Sequence, residues 1–246
     1  MSGILLSADA KTFIIGTTLI SIVAFWFSVG AFKVIELTGI FKKYKIWSNK
    51  RTKKGLQLKA VKLIILNEIF VQTPALVVSF YMFEYLGLTM TMGNYPGVFL
   101  FIFQIIIFML IEDTMFYWIH RLLHQKTLFR KIHHIHHRFN INSAVASQYA
   151  HPVEFLICDL VPVITGPALL LILGLPVHII TLWIWMVIRI WESVDAHSGY
   201  NLPFWFPHKL IYGGGSIPHD LHHSKNKGSF ATFFEHWDKL FKTHVK

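Results

Sequence analysis

The sequence has one cysteine, Cys158, set in an apolar run. A single thiol closes no disulfide within the chain and cannot hold an iron–sulfur cluster, which takes several thiolates. No Gly-rich dinucleotide fingerprint and no haem-attachment motif occur either, so any electrons the protein uses must come from a partner. Acidic residues are scarce, 13 against 23 lysines and arginines. That shortage excludes a carboxylate-rich metal site of the kind built by paired Glu-x-x-His motifs in helical bundles. There is no internal repeat, no low-complexity linker and no break that marks a second domain, so 1–246 reads as a single domain.

What the chain has in excess is apolar residues. At 54% hydrophobic and a mean hydropathy of +0.49 it is too apolar for an ordinary soluble protein. The runs Phe13 to Ile35, Ala60 to Leu88, Gly97 to Ile119 and Val153 to Val194 are long enough to enter or cross a hydrocarbon core of about 30 Å. The first lacks the cleavage signal of a removable leader. The second carries Thr73-Pro74, where a kink is expected, and the last is broken at Gly174-Leu175-Pro176, as in a helical hairpin that dips in and returns. The expected fold is an all-α integral membrane protein with four to five membrane helices or hairpin segments. Its N-terminal membrane helices lie at about 13–88 and its histidine-bearing region at about 97–246, with a cap of helices from about 121–152 and 195–246.

The net charge of +10 is unevenly placed. Nine lysines and arginines fall between Lys42 and Lys62 with no acidic residue among them, whereas Gly87 to Pro96 carries no charge. By the positive-inside rule the basic loop and His120 face the cytosol, next to anionic headgroups, and the short connection faces the lumen. No groove-reading motif accompanies the charge, so no nucleic-acid partner is expected.

Six of the 15 histidines lie within eighteen residues, at His120, His124, His133, His134, His136 and His137. His219, His222 and His223 form a third cluster. Neutral imidazole is the commonest protein ligand for transition metals. His120 and His124 share a helical face, and Asp113, two turns earlier, is placed to accept a hydrogen bond from the outer nitrogen of a ligand imidazole. The second and third clusters repeat a histidine, two-residue gap, histidine pair. In each, residues i and i+3 are expected to share a face while the adjacent third imidazole reaches a neighbouring metal. With His197 as a ninth ligand there are more nitrogens than one ion uses, and the chain reads as a binder of two metals.

His134 is expected to point away. His151 reads as a ligand, as a donor to one, or as the residue ahead of a helix-starting proline. Asn201 reads either as the holder of a metal-bound water, if its segment is helical, or as a turn asparagine. His178, His208, His236 and His244 read as structural or surface residues. Three other accounts stand beside a catalytic metal site: polar histidines at a membrane boundary, a metal transporter, and a structural membrane protein without catalysis. Transporter sites lie near the midplane on broken helices, whereas these clusters sit at or beyond one boundary.

At these motifs the chain resembles the fatty acid hydroxylase / sterol desaturase superfamily, from about Ile111 to the C-terminus. Glu112-Asp113 before His120, Tyr149-Ala150-His151-Pro152 with Glu154, His197-Ser198-Gly199-Tyr200 and the third cluster are similar to sterol C4-methyl oxidases. Gln148 stands where those enzymes usually carry glutamate and Pro218 where they often carry a further histidine; the glutamine and the tail Ser229 to Lys242, especially His236-Trp237-Asp238-Lys239, look closer to cholesterol 25-hydroxylases. The resemblance implies two iron ions per chain and O2 as co-substrate. It also implies electrons from NAD(P)H through a reductase or cytochrome b5, a sterol substrate, and residence in the endoplasmic reticulum membrane.

Overall fold

The computed structural model describes residues 7–48, 52–53, 55–91, 93, 95–203 and 215–245. The helices are α1 Ala8–Thr38, α2 Leu56–Asn67, α3 Thr73–Tyr85, α4 Val98–Leu123, α5 Lys126–Leu128, α6 Pro152–Glu154, α7 Val161–Ile172, α8 Ile179–Ala196, α9 Ser216–Lys225 and α10 His236–Leu240. Wide π-helical turns at Glu68–Gln72, Phe129–His133 and Phe155–Leu160 interrupt them. The described residues contain no strand, only the isolated bridges Lys45 to Tyr200 and Thr89 to His178.

Four helical stretches are long and apolar enough to cross a membrane: Ala8–Thr38, Leu56–Tyr85, Val98–Leu123 and Pro152–Ile172. At 1.5 Å per residue α1 alone is about 46 Å long, longer than the hydrocarbon core. Their outward faces are apolar, with Phe70 at 69% and Phe99 at 89% exposed, a surface that water penalises and lipid does not. The chain is a multi-pass membrane protein.

Local chemistry sets the helix limits. Ser7 caps α1 by accepting from the N–H of Ala10, and Gly39 ends it in the left-handed region at φ 68°. In α1 the buried residues Ala10, Phe13, Thr17, Ser21, Phe25, Ser28 and Phe32 recur every three or four positions and face α3 and α8. Pro74 has no N–H to give, and the chain widens just before it, where the Thr73 hydroxyl donates to the carbonyl of Glu68 at 2.9 Å. Gly166 lets α7 lie against α4, since an added Cβ there would sit 2.9 Å from the Phe108 ring.

The expected hairpin is present. α7 ends ahead of Gly174, φ 76°, and α8 begins at the cap of His178, whose Nδ1 accepts from the N–H of Ile180. The N–H groups of Thr89 and Ile179 donate to the carbonyls of Val177 and Thr89, so the two uncharged turns meet at one end of the bundle. At the other end Ile46 and Asn201 exchange backbone hydrogen bonds with Gly199 and Tyr44, which brings the basic loop to the histidine end.

Two of the apolar helices share a buried charge cluster. Glu112 on α4 and Arg189 on α8 form a buried ion pair, and Arg189 also reaches Glu192 at 3.4 Å. An unpaired charge at this depth costs several kcal/mol, so the pair fixes α4 against α8.

Candidate metal centre

α4 carries His120 in its last turn and His124 at its C-cap. The wide turn Phe129–His133 then reverses the chain so that His133, His136 and His137 face them. His197 caps the end of α8, and α9 presents His219, His222 and His223.

The nine imidazoles form two groups in which all candidate ligand atoms lie within 4.8 Å of one another. His120, His124, His133, His137 and His222 make the first, and His136, His197, His219 and His223 the second. All but His124 are buried. The sorting departs from the expected one. His133 pairs with His137 and His219 with His223, at i and i+4, while His136 and His222 turn to the opposite group. On a helix i+4 is displaced by about 40° and i+3 by about 60° the other way, so an i+3 imidazole next to an i+4 pair points across to a second centre.

Hydrogen bonds fix which nitrogen faces inward. The Nδ1 of His120 lies 2.9 Å from the carbonyl of Phe230, that of His222 2.5 Å from Gly228, that of His197 2.7 Å from Ser193 and that of His136 3.2 Å from Tyr149. The Nδ1 of His133 lies 2.6 Å from Oε1 of Glu154. A carbonyl oxygen can only accept, so in the neutral rings of His120, His222, His197 and His136 Nδ1 bears the proton and Nε2 is a bare lone pair, and an ionised Glu154 sets the same tautomer in His133. Those lone pairs face one another: Nε2 of His120 and His133 are 3.1 Å apart, and Nε2 of His136 and His197 are 3.2 Å apart. Two lone pairs cannot share a hydrogen bond.

A cation between them removes the repulsion. Nitrogens about 3 Å apart form the edges of a polyhedron whose centre is about 2.1 Å from each, an ordinary metal–imidazole distance. His223, fully buried, has a partner for neither ring nitrogen among the described residues. Burial pushes the pKa of His133, His137, His197, His219, His222 and His223 well below the imidazole range, and that of His136 to about 4. The rings are therefore neutral at pH 7, the state a metal requires. The donor set fits two transition-metal ions.

Other candidates lie elsewhere. Asp113 meets none of the nine imidazoles: its Oδ1 accepts from the N–H groups of Thr232, Phe233 and Phe234, so it docks the C-terminal segment on α4. Three backbone donors outcompete one imidazole for that oxygen. His151 accepts from the N–H of Val153 and caps the start of α6. Asn201 is not in a helix, because Gly199 at φ 76° ends α8, and it belongs to neither group. His134 is outside both groups. His236 and His244 pair with Asp113 and Glu235, and His208 lies outside the described residues. Glu154 is the residue that the spacing argument missed. Only its place in the motif after His151 signals it, since twenty-one positions separate it from His133.

One cavity adjoins the groups, and a second adjoins the first. The first, a narrow space of about 20 Å³, is walled by His120, His133, His136, His197 and His219. The second, about 100 Å³ and mostly apolar, runs between α1, α3, α7 and α8, and both are bounded by Ser147, Asp159 and Ser193.

The family model of the fatty acid hydroxylases matches residues 105–243. The methylsterol monooxygenase erg25B of Aspergillus fumigatus is 36% identical over 85% of this chain and 70% of its own length. The very-long-chain aldehyde decarbonylase GL1-8 of Oryza sativa is 35% identical over 93% and 84%. Methylsterol monooxygenase 1 of Rattus norvegicus is 33% identical over 90% and 73%. No solved structure matches. The chain belongs to the fatty acid hydroxylase family, membrane-bound, oxygen-dependent oxidoreductases that use non-haem iron.

Proposed function

We propose that the protein is a di-iron monooxygenase that oxidises the C4-methyl group of 4-methylsterols. His120, His124, His133, His137 and His222 hold one iron, and His136, His197, His219 and His223 the other. The observation that carries this is the inward convergence of bare Nε2 lone pairs on two centres beside an apolar cavity. When bound, two irons supply the electrons and oxidising power needed to split O2 and attack an unactivated C–H bond.

The chain's own residues do the rest. Glu154 and the carbonyls of Phe230, Gly228, Tyr149 and Ser193 hold the outer ring protons, which fixes the tautomers and raises the basicity of the inner nitrogens. The larger cavity takes the fused rings from the bilayer and keeps water from the reacting carbon. Electrons arrive from NAD(P)H through a reductase or cytochrome b5 at the histidine end, which faces the cytosol in the endoplasmic reticulum membrane. Residues 1–246 act as one domain.

The aldehyde decarbonylase relatives, matched at similar identity, support a second reading in which a long-chain lipid is the substrate. Purified protein with an NAD(P)H and cytochrome b5 system, given a 4,4-dimethylsterol, cholesterol or a long-chain aldehyde, separates the two. Oxidation at C4 is expected. Oxidation only of the sterol side chain, or turnover only of the aldehyde, refutes the C4 reading.

A further inference from the structure

Asp159 sits in the wide turn Phe155–Leu160, beside Cys158 and one turn after Glu154. It borders both the apolar cavity and the cavity of the histidine groups. The carboxylates around it are engaged: Glu154 with His133, and Glu112 and Glu192 with Arg189. Ser147, at the same boundary, donates its hydroxyl to the carbonyl of Ala144. Asp159 has no hydrogen-bond partner among the described residues; it is partly buried, it lines both cavities, and its nearest opposite charge is the guanidinium of Arg189, which lines the apolar cavity too but is hydrogen-bonded to Glu112 and Glu192.

A largely desolvated carboxyl that lines an apolar cavity and receives no hydrogen bond is costly unless a ligand brings a donor to it. We propose that Asp159 accepts a hydrogen bond from the substrate's hydroxyl, the C3 hydroxyl of a 4-methylsterol, and so sets which end of the molecule meets the histidine groups. The assignment rests on the sterol reading above. C3 is bonded to C4, so a hydroxyl held at the boundary of the two cavities carries the C4 methyl into the one walled by His120, His136 and His197. The rest of the sterol then lies among Phe13, Leu76 and Leu182. The opposite orientation would press the hydrocarbon tail on the carboxyl and leave the hydroxyl among these apolar side chains. Asp159 is thus a positioning residue that selects the oxidised end.

The test measures equilibrium binding rather than turnover. The full chain, zinc-loaded in lipid nanodiscs, is titrated with labelled 4,4-dimethylsterol and with its 3-O-methyl ether, which keeps the oxygen but has no proton to donate. Wild type should prefer the free alcohol by about 10–100-fold. Asp159→Leu should reduce that preference to near one, and Asp159→Asn, whose amide oxygen still accepts, should keep an intermediate value. Should Asp159→Leu fail to hold zinc, Asp159→Asn decides, with a several-fold fall expected. An unchanged preference in the variant, or none in wild type that still binds sterol, overturns the role of Asp159. Wild type that binds neither sterol overturns the sterol reading itself, and this role with it.

Discussion

The Nδ1 of His133 lies 2.6 Å from Oε1 of Glu154, so the hairpin that enters the membrane holds the ring that joins the first and second histidine motifs. The Nε2 of His133 is within 3.1 Å of those of His120, His124 and His137, which makes it the hub of the five-membered group.

Removing that carboxylate should therefore be felt at the metal. Glu154→Ala should weaken the five-histidine site by about 10–100-fold and leave the other site filled. Glu154→Gln, whose amide oxygen still accepts, should cost less. Chelator competition on the two variants reads this out, and equal retention by Glu154→Ala and wild type would contradict it.

The sorting of the nine rings predicts which substitutions act together. His137→Ala and His222→Ala should deplete the same ion, and His136→Ala and His223→Ala the other, because residues adjacent in sequence belong to different groups. Metal per chain should fall from about two toward one in each single variant, and toward zero in His136→Ala with His222→Ala. Pairwise metal counts that follow sequence adjacency instead would refute the assignment.

Asp113 predicts a structural phenotype. Its Oδ1 holds three N–H groups of the segment that also supplies the Phe230 carbonyl to His120. Asp113→Ala should lower stability by about 2–3 kcal/mol and make the segment after Ser229 susceptible to protease. Unchanged thermal unfolding and protease resistance would show that the contact matters little.

Sidedness follows from charge and contact together. The basic loop meets the Gly199 segment, and Thr89 meets Val177 at the opposite end. A cysteine placed at Lys53 should label from the cytosol and one at Gly93 from the lumen, against a background in which Cys158 is buried. Labelling of both from one side would contradict the arrangement.

The sequence was informative where a single physical signal dominated. Apolar run length located the four long helices and the hairpin break at Gly174, and histidine density located the nine rings that the fold gathers. It was less informative where competing partners or local backbone decided. The sorting of His136 away from His133 depends on the turn geometry through His133 to Arg138, which spacing does not reveal. Asp113 looked placed for an imidazole because its later partners, Thr232 to Phe234, are remote in sequence. Asn201 needed a helix that Gly199 ends. Asp159 carries no motif at all, and only the two cavities single it out.

The most direct test of the two-centre account is the iron content of the protein purified, stripped with chelator and reloaded anaerobically with ferrous iron, alongside the absorption-edge spectrum of the bound metal. About two irons per chain in imidazole-nitrogen shells are expected, because five and four rings converge on separate centres. One iron per chain at saturation, or two held mainly by oxygen ligands, would contradict it.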